Sequence, residues 1–246
     1  MKRIALAAGV LALGAGVAVV LASPHAGSKP RPATAGHPRV QASRAVAPPR
    51  PRPAGRTPSR SVLLLRRAAA QGSLPQTHMY PSGRTATFRA LMAALWRGIV
   101  LGSGGPALPA FFPKAAYEQL KAIGGAGSDW TNRLLHDFTL DVRAAHEVLK
   151  GEAARARLLS VHVPASFGHW VPPGVCDNGI GYFEVPNARI VYSLNGRTRS
   201  FGIASMISWR GIWYVVHLGA ILRTTETGQV DAPSSGPGES EYSGTC

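Results

Sequence analysis

The side chains that could do chemistry are few, and most lie in the second half of the chain. His217 stands in an aromatic run, Gly211-Ile212-Trp213-Tyr214-Val215-Val216-His217-Leu218. A histidine in such a setting can move protons near neutral pH if an acid or a phenol is in reach, and Asp141, His146, Glu184, Tyr182 and Tyr192 are the possible partners. As a strand, this run sets Trp213, Val215 and His217 on one face and Ile212, Tyr214, Val216 and Leu218 on the other. Both faces are apolar. His217 is therefore expected inside the protein, its ring hydrogen-bonded to a buried partner, with acid-base catalysis as the alternative. Arg133 to Asp137 and Arg143 to Glu147 make ordinary i,i+4 pairs on a helix. Asp141 has no opposite charge at that spacing and borders an apolar stripe, where a pocket-lining acid would sit.

Other constellations fail on inspection. His162, His169 and Cys176 recur at intervals of seven with Asp177 adjacent, but structural zinc uses tighter pairs, so no metal is expected. Gly102-Ser103-Gly104-Gly105-Pro106 has the look of a serine-protease nucleophile loop, yet no carboxylate precedes Glu118 to complete a triad. There is no G-x-S-x-G, and Gly124-Gly125-Ala126-Gly127 follows a helix rather than a strand. His146-Glu147 lacks the second histidine of a zinc-protease helix, and the sortase T-L-x-T-C signature is missing. No cofactor is called for. The loop at 165–178 holds Phe167, His169 and Trp170. His169 and Trp170 would suit a binding lip and, with Trp213 of the aromatic strand, are the candidate ligand-binding residues; equally, Trp170 could cover an open end of the sheet. The two cysteines, Cys176 and Cys246, are expected to form one disulfide.

Charge divides the 246 residues sharply. Residues 1–117 carry sixteen Lys or Arg and no Asp or Glu, whereas the rest hold eleven basic and twelve acidic side chains, so the net +15 belongs to the front. A uniformly basic nucleic-acid binder is excluded on that distribution. Lys2 and Arg3 precede an uncharged run at 4–21 that breaks at Ser23-Pro24, the order of an export signal. Residues 1–22 therefore read as a signal peptide cleaved after Ala22, or as an anchor, since 18 residues come close to the roughly 20 that span a bilayer. Residues 24–60 contain nine Pro and eight Lys or Arg. With so little apolar surface, 23–79 is expected to be a disordered linker, and its charge suits an anionic envelope surface. Nucleic acid is disfavoured, because no aromatic is interleaved with these arginines.

Positioning falls to the globular stretch at 80–224, followed by a flexible acidic tail at 225–246. Thr85 or Ser82 caps a helix carrying Phe88, Leu91, Leu95 and Ile99, which Gly102 stops. Pro113 opens a second helix with Tyr117, Leu120 and Ile123 on one face. Ser128 and Asp129 open a third, striped by Trp130, Leu134, Phe138, Val142, Ala145 and Leu149 and ended by Gly151. The period then changes from 3.6 to 2. Asn195-Gly196 and Arg210-Gly211 predict tight turns joining strands at about 188–194, 197–209 and 212–222 into an antiparallel meander, with a bulge or bend at Gly202.

The fold class is α+β: N-terminal helices packed on a curved antiparallel β-meander. Helices first and a meander ending in W-x-G-x-W-Y-V-V-H-L (209–218) resembles the nuclear transport factor two-like, or cystatin-like, fold over about 84–222. That resemblance implies a bent sheet wrapped around a long helix as a cone with an internal pocket. The stretch at 200–218 also resembles an uncharacterised secreted family of actinobacteria, which implies an exported setting and no activity. The reading is an exported, non-catalytic cell-envelope or secreted domain that binds a small apolar ligand or an envelope partner. The alternative is a pocket isomerase or lyase using His217 with Asp141.

Overall fold

In this computed structural model, residues 57–223 and 225–241 are described, all within one compact unit, Ala54–Cys246. Helix α1 spans Arg60–Gln71, capped by the Ser59 side chain accepting from Val62 N. Helix α2 spans Ala86–Leu101; Thr85 Oγ1 accepts from Phe88 N at 3.0 Å, and Gly102 closes it at φ +61°, a conformation glycine takes at no steric cost. Helix α3 spans Lys114–Leu120 behind Pro113. A π-helical turn, Trp130–Leu134, runs into α4, Leu135–Val148.

Six strands follow: β1 Arg157–His162, β2 His169–Val171, β3 Tyr182–Leu194, β4 Arg197–Trp209, β5 Ile212–His217 and β6 Asp231–Ser235. They form one open antiparallel sheet. The 13-residue strands β3 and β4 make its central hairpin, and the turn expected at Asn195-Gly196 has φ +51° and +74°. Arg210-Gly211 repeats this with φ +51° and +73°. Each long strand is flanked by two short ones. β3 takes β1 near its hairpin end and β2 at its far end, while β4 takes β6 and β5 in the same manner. Pro186, which has no N–H to donate, and Asn187, at φ +51°, lie where these partners change over.

The core lies where α2 and α4 meet the sheet. Leu91, Leu95 and Ile99 pack with Phe138, Val142 and Ala145 and with Ile190, Phe201, Ile203, Met206 and Val215, all buried in one cluster. At about 25 cal/mol per Å² of apolar surface, residues of this size contribute roughly 1.5–3 kcal/mol each.

Three expectations need correction. The linker does not extend to residue 79: Ala68 of α1 is fully buried, its carbonyl accepts from Tyr214 Oη at 2.9 Å, and Trp209 Nε1 donates to the Gln71 and Leu74 carbonyls. Arginines flanking Val62 to Leu65 masked a helix whose inner face needs only Leu65, Ala68 and the backbone to dock. The tail is not flexible throughout either. Asp231–Ser235 pairs with β4, and Arg189, 4 % exposed, ties it down by donating to the Ala232 and Pro237 carbonyls. Gly202 permits this approach, because a Cβ there would fall 2.5 Å from Asp231 Oδ2. Finally, the segment expected to be three strands is more continuous at its start and shorter at its end, since β3 begins at Tyr182 and β5 stops at His217. No helix among the described residues is long and apolar enough to cross a membrane; the run at 4–21 lies outside them.

Candidate functional site

His217 reaches its place through a bulge. Met206 pairs with Val215 and Ser205 with His217, so Val216 is the extra residue in β5. Residues opposite one another in an antiparallel pair share a face, and so do residues two apart on one strand. His217 therefore lies on the face of Ser205 and Ile207, and hence of Tyr214, rather than on that of Trp213 as strict alternation predicts. Glu184 of β3 pairs with Ile207 and joins the same face. Three neighbouring strands thus bring Glu184, Ser205 and His217 together.

The opposing wall comes from α3 and the loop before β3. Lys121 and Asn178 form an isolated bridge, in which Ala122 N donates to Asp177 O and Gly179 N to Leu120 O, both at 2.8 Å. Lys121 Nζ donates to Cys176 O at 2.7 Å. Cys176 and Asp177 sit at φ +50° and +57°, a left-handed pair that this network holds in place. Asn178 Nδ2 donates to Val175 O at 2.7 Å and more weakly to Tyr182 Oη at 3.4 Å. Between wall and sheet is a cavity of about 130 Å³, lined also by Tyr117, Arg133, Leu134, Val216 and Ile221.

Two atoms of this cavity's lining residues have no hydrogen-bond partner among the described residues. Asn178 Oδ1 and His217 Nδ1 are buried without hydrogen bonds, in residues 2 % and 4 % exposed. Burial, reinforced by the positive charges of Arg223 and Arg133, lowers the His217 pKa to about 3, so the ring is neutral at physiological pH. Burial also raises the Tyr182 phenol, with the Glu184 charge acting in the same direction, and lowers the Lys121 ammonium against the pull of Asp177. Ser205 Oγ donates to Glu184 Oε1 at 3.0 Å. A Ser-His-acid triad needs the histidine between the other two. Here the hydroxyl faces the acid directly, which is not a nucleophile's arrangement.

His217 is buried as expected, but the partner expected at its ring is absent at Nδ1. Asp141 is fully buried and does not line the cavity. Its carboxylate accepts from Leu218 N and Gly219 N at 3.2 Å, Gln229 N at 2.8 Å and Arg223 Nη2 at 2.6 Å. It joins the end of β5, the chain beyond it and α4, and its counter-charge lies 82 residues away, out of reach of an i±4 search. Tyr192 packs on Trp96 and Phe201 eight residues along β3 from Glu184, roughly 26 Å at the rise of a strand, so the structure does not unite it with His217. His146 Nδ1 lies 2.9 Å from Ile99 O.

The expected lip separates across two faces. Trp170 pairs with Phe183, and Tyr80 contacts both Phe183 and Trp213, with the His78 ring tilted against Trp170 at 4.0 Å between centroids. That aromatic group covers an end of the sheet. His169 pairs with Glu184 on the other face. Sequence reasoning missed Asn178, whose local signal was only a turn; Glu184, named as a partner, is the lone carboxylate of β3. Cys176 carries no free thiol, and Cys246 lies outside the described residues.

Comparison with protein-family models, curated proteins and solved structures finds no match to this chain.

Proposed function

We propose that the chain is an exported binding protein whose folded unit is a cystatin-like cone, and that its cavity at His217 takes a small polar ligand without catalysis. The observation that carries this reading is the pair of unpartnered buried atoms, Asn178 Oδ1 and His217 Nδ1, in residues lining one cavity. A buried polar group without a partner costs about 1–3 kcal/mol, so a ligand that donates to Asn178 and hydrogen-bonds His217 recovers a substantial free energy. The volume equals the share of roughly four liquid waters, which suits a molecule of a few heavy atoms. Lys121 and Glu184 line the same space, matching a ligand with an acceptor at one end and donors at the other. The two unpartnered polar atoms favour such a ligand over a purely apolar one. The isomerase or lyase reading loses Asp141, which serves four donors elsewhere, and Glu184 is engaged by the Ser205 hydroxyl.

The export signal at 4–21 and a Cys176 to Cys246 disulfide complete the proposal: the bond would hold the 174–179 loop that forms one wall. The test is a thermal-shift screen of small amines, amides, carboxylates and amino acids at millimolar concentration. A binder should raise Tm for the wild type and lose its effect in Asn178→Ala and His217→Leu. Absence of any shift, with native mass spectrometry showing only the bare chain, would mean that the cavity holds water alone.

A further inference from the structure

A second concavity lies away from His217 and does not depend on the reading above. It measures about 480 Å³ and is walled by Leu65 and Ala69 of α1, Leu108, Phe112, Trp130 and Tyr214. Its two charged members are Arg66 and Lys114, both basic. Beside it α1 leaves Val62 39 % and Leu63 51 % exposed, and Leu108 is 42 % exposed. Exposed apolar surface of this extent beside a groove marks an interaction site rather than scattered surface residues.

We propose that this face seats on an anionic lipid surface. Helix α1 presents Arg60, Arg66 and Arg67 together with Val62 and Leu63, the pairing of cations and apolar side chains that sits at a membrane interface. Charge complementarity favours lipid over other occupants. Residues 1–117 contain no carboxylate, so nothing in the arm, α1 or the Leu108 turn repels anionic headgroups. Of the acids near the groove, Glu118 stands one turn from Lys114 on α3, and Asp129 is held by Arg133 and Tyr117. Seven further cations at 24–59 precede α1 in the sequence, and basic residues near an anionic surface add their attractions. The apolar groove receives acyl segments, while Arg66 and Lys114 at its edge meet the headgroups.

The experiment uses the chain as recovered after export and vesicles of phosphatidylcholine with about one third phosphatidylglycerol. Brominated acyl chains quench tryptophans that touch lipid, and no tryptophan precedes Trp96, so quenching reports the folded unit rather than the arm. Wild-type fluorescence should be quenched, and the double variant Leu63→Asp, Leu108→Asp should partition at least tenfold more weakly with an unchanged circular dichroism spectrum. Both side chains are exposed, so folding is not at stake; Arg66→Glu, Arg67→Glu should weaken binding comparably. If the variants bind like the wild type, the arm alone carries adhesion and the proposal fails. It fails too if vesicles leave the tryptophans unquenched, in which case the groove is open to a protein segment.

Discussion

Replacing His217 by leucine should remove an acid sensitivity built into the domain. The ring titrates near 6.5 when solvated and at about 3 in the fold. Because the folded pKa is the lower one, the unfolded chain binds the proton more readily. The folded state is therefore penalised as pH falls below 6.5, and the penalty grows until pH reaches about 3. From pH 7.5 to pH 5 this linkage amounts to about 2 kcal/mol, and to about 4 kcal/mol at pH 3. Two kcal/mol corresponds to roughly 4–8 °C in Tm for a unit of this size. Urea titrations of the wild type at pH 7.5, 6.5, 5.5 and 5.0 should show this decline, and His217→Leu should be nearly flat over the same range. Leucine fills a similar volume and leaves no protein partner orphaned at Nδ1, so its stability at pH 7.5 should change by less than about 1.5 kcal/mol. Parallel decline in the two proteins would refute the argument, because some other group would then be taking up the proton.

Asp141→Asn should be costly at neutral pH, since it leaves Arg223, 8 % exposed, with only the more distant Asp137 as counter-charge; about 2–3 kcal/mol is expected, read as loss of urea midpoint. A chain beginning at Ser73 should unfold well below the wild type or fail to fold, because it lacks the acceptors of Tyr214 and one of those of Trp209; calorimetry within a few degrees of the intact protein would show α1 to be dispensable. Gly196→Ala should lower stability by about 1 kcal/mol, as φ +74° is strained for any side chain with a Cβ. Non-reducing peptide mapping should link Cys176 to Cys246, and a free Cys246 thiol in exported protein would end that assignment.

The parts legible in the sequence were those with local causes. Thr85 and Gly102 bound α2, and Asn195-Gly196 turns β3 into β4, each within a few residues of its own signal. The candidate site was legible only in part. His217 stood out by type, but the bulge at Val216 reversed the face it occupies, and a bulge depends on the partner strand rather than on β5 itself. Asn178 entered through a bridge to Lys121, 57 positions earlier. Helix α1 was hidden because its apolar side is narrow and its neighbours are proline and arginine. Its partners, Trp209 and Tyr214, are farther from it in sequence than any periodicity can reach.

That distance has a bearing on how the protein comes to exist. Tyr214 bonds to a carbonyl 146 residues upstream, so α1 leaves the ribosome long before the strand that covers it. At about 5–20 residues per second, the wait is on the order of ten to thirty seconds. Throughout it the Ala68 carbonyl stays without its Tyr214 donor, and the β3–β4 hairpin is complete only five residues before that closure. Translation or translocation must therefore pass residue 214 before the folded unit can seal. A holding chaperone or an unfolded-chain export route would act on this interval, and a chain truncated before residue 209 would leave α1 without the hydrogen bonds from Trp209 and Tyr214.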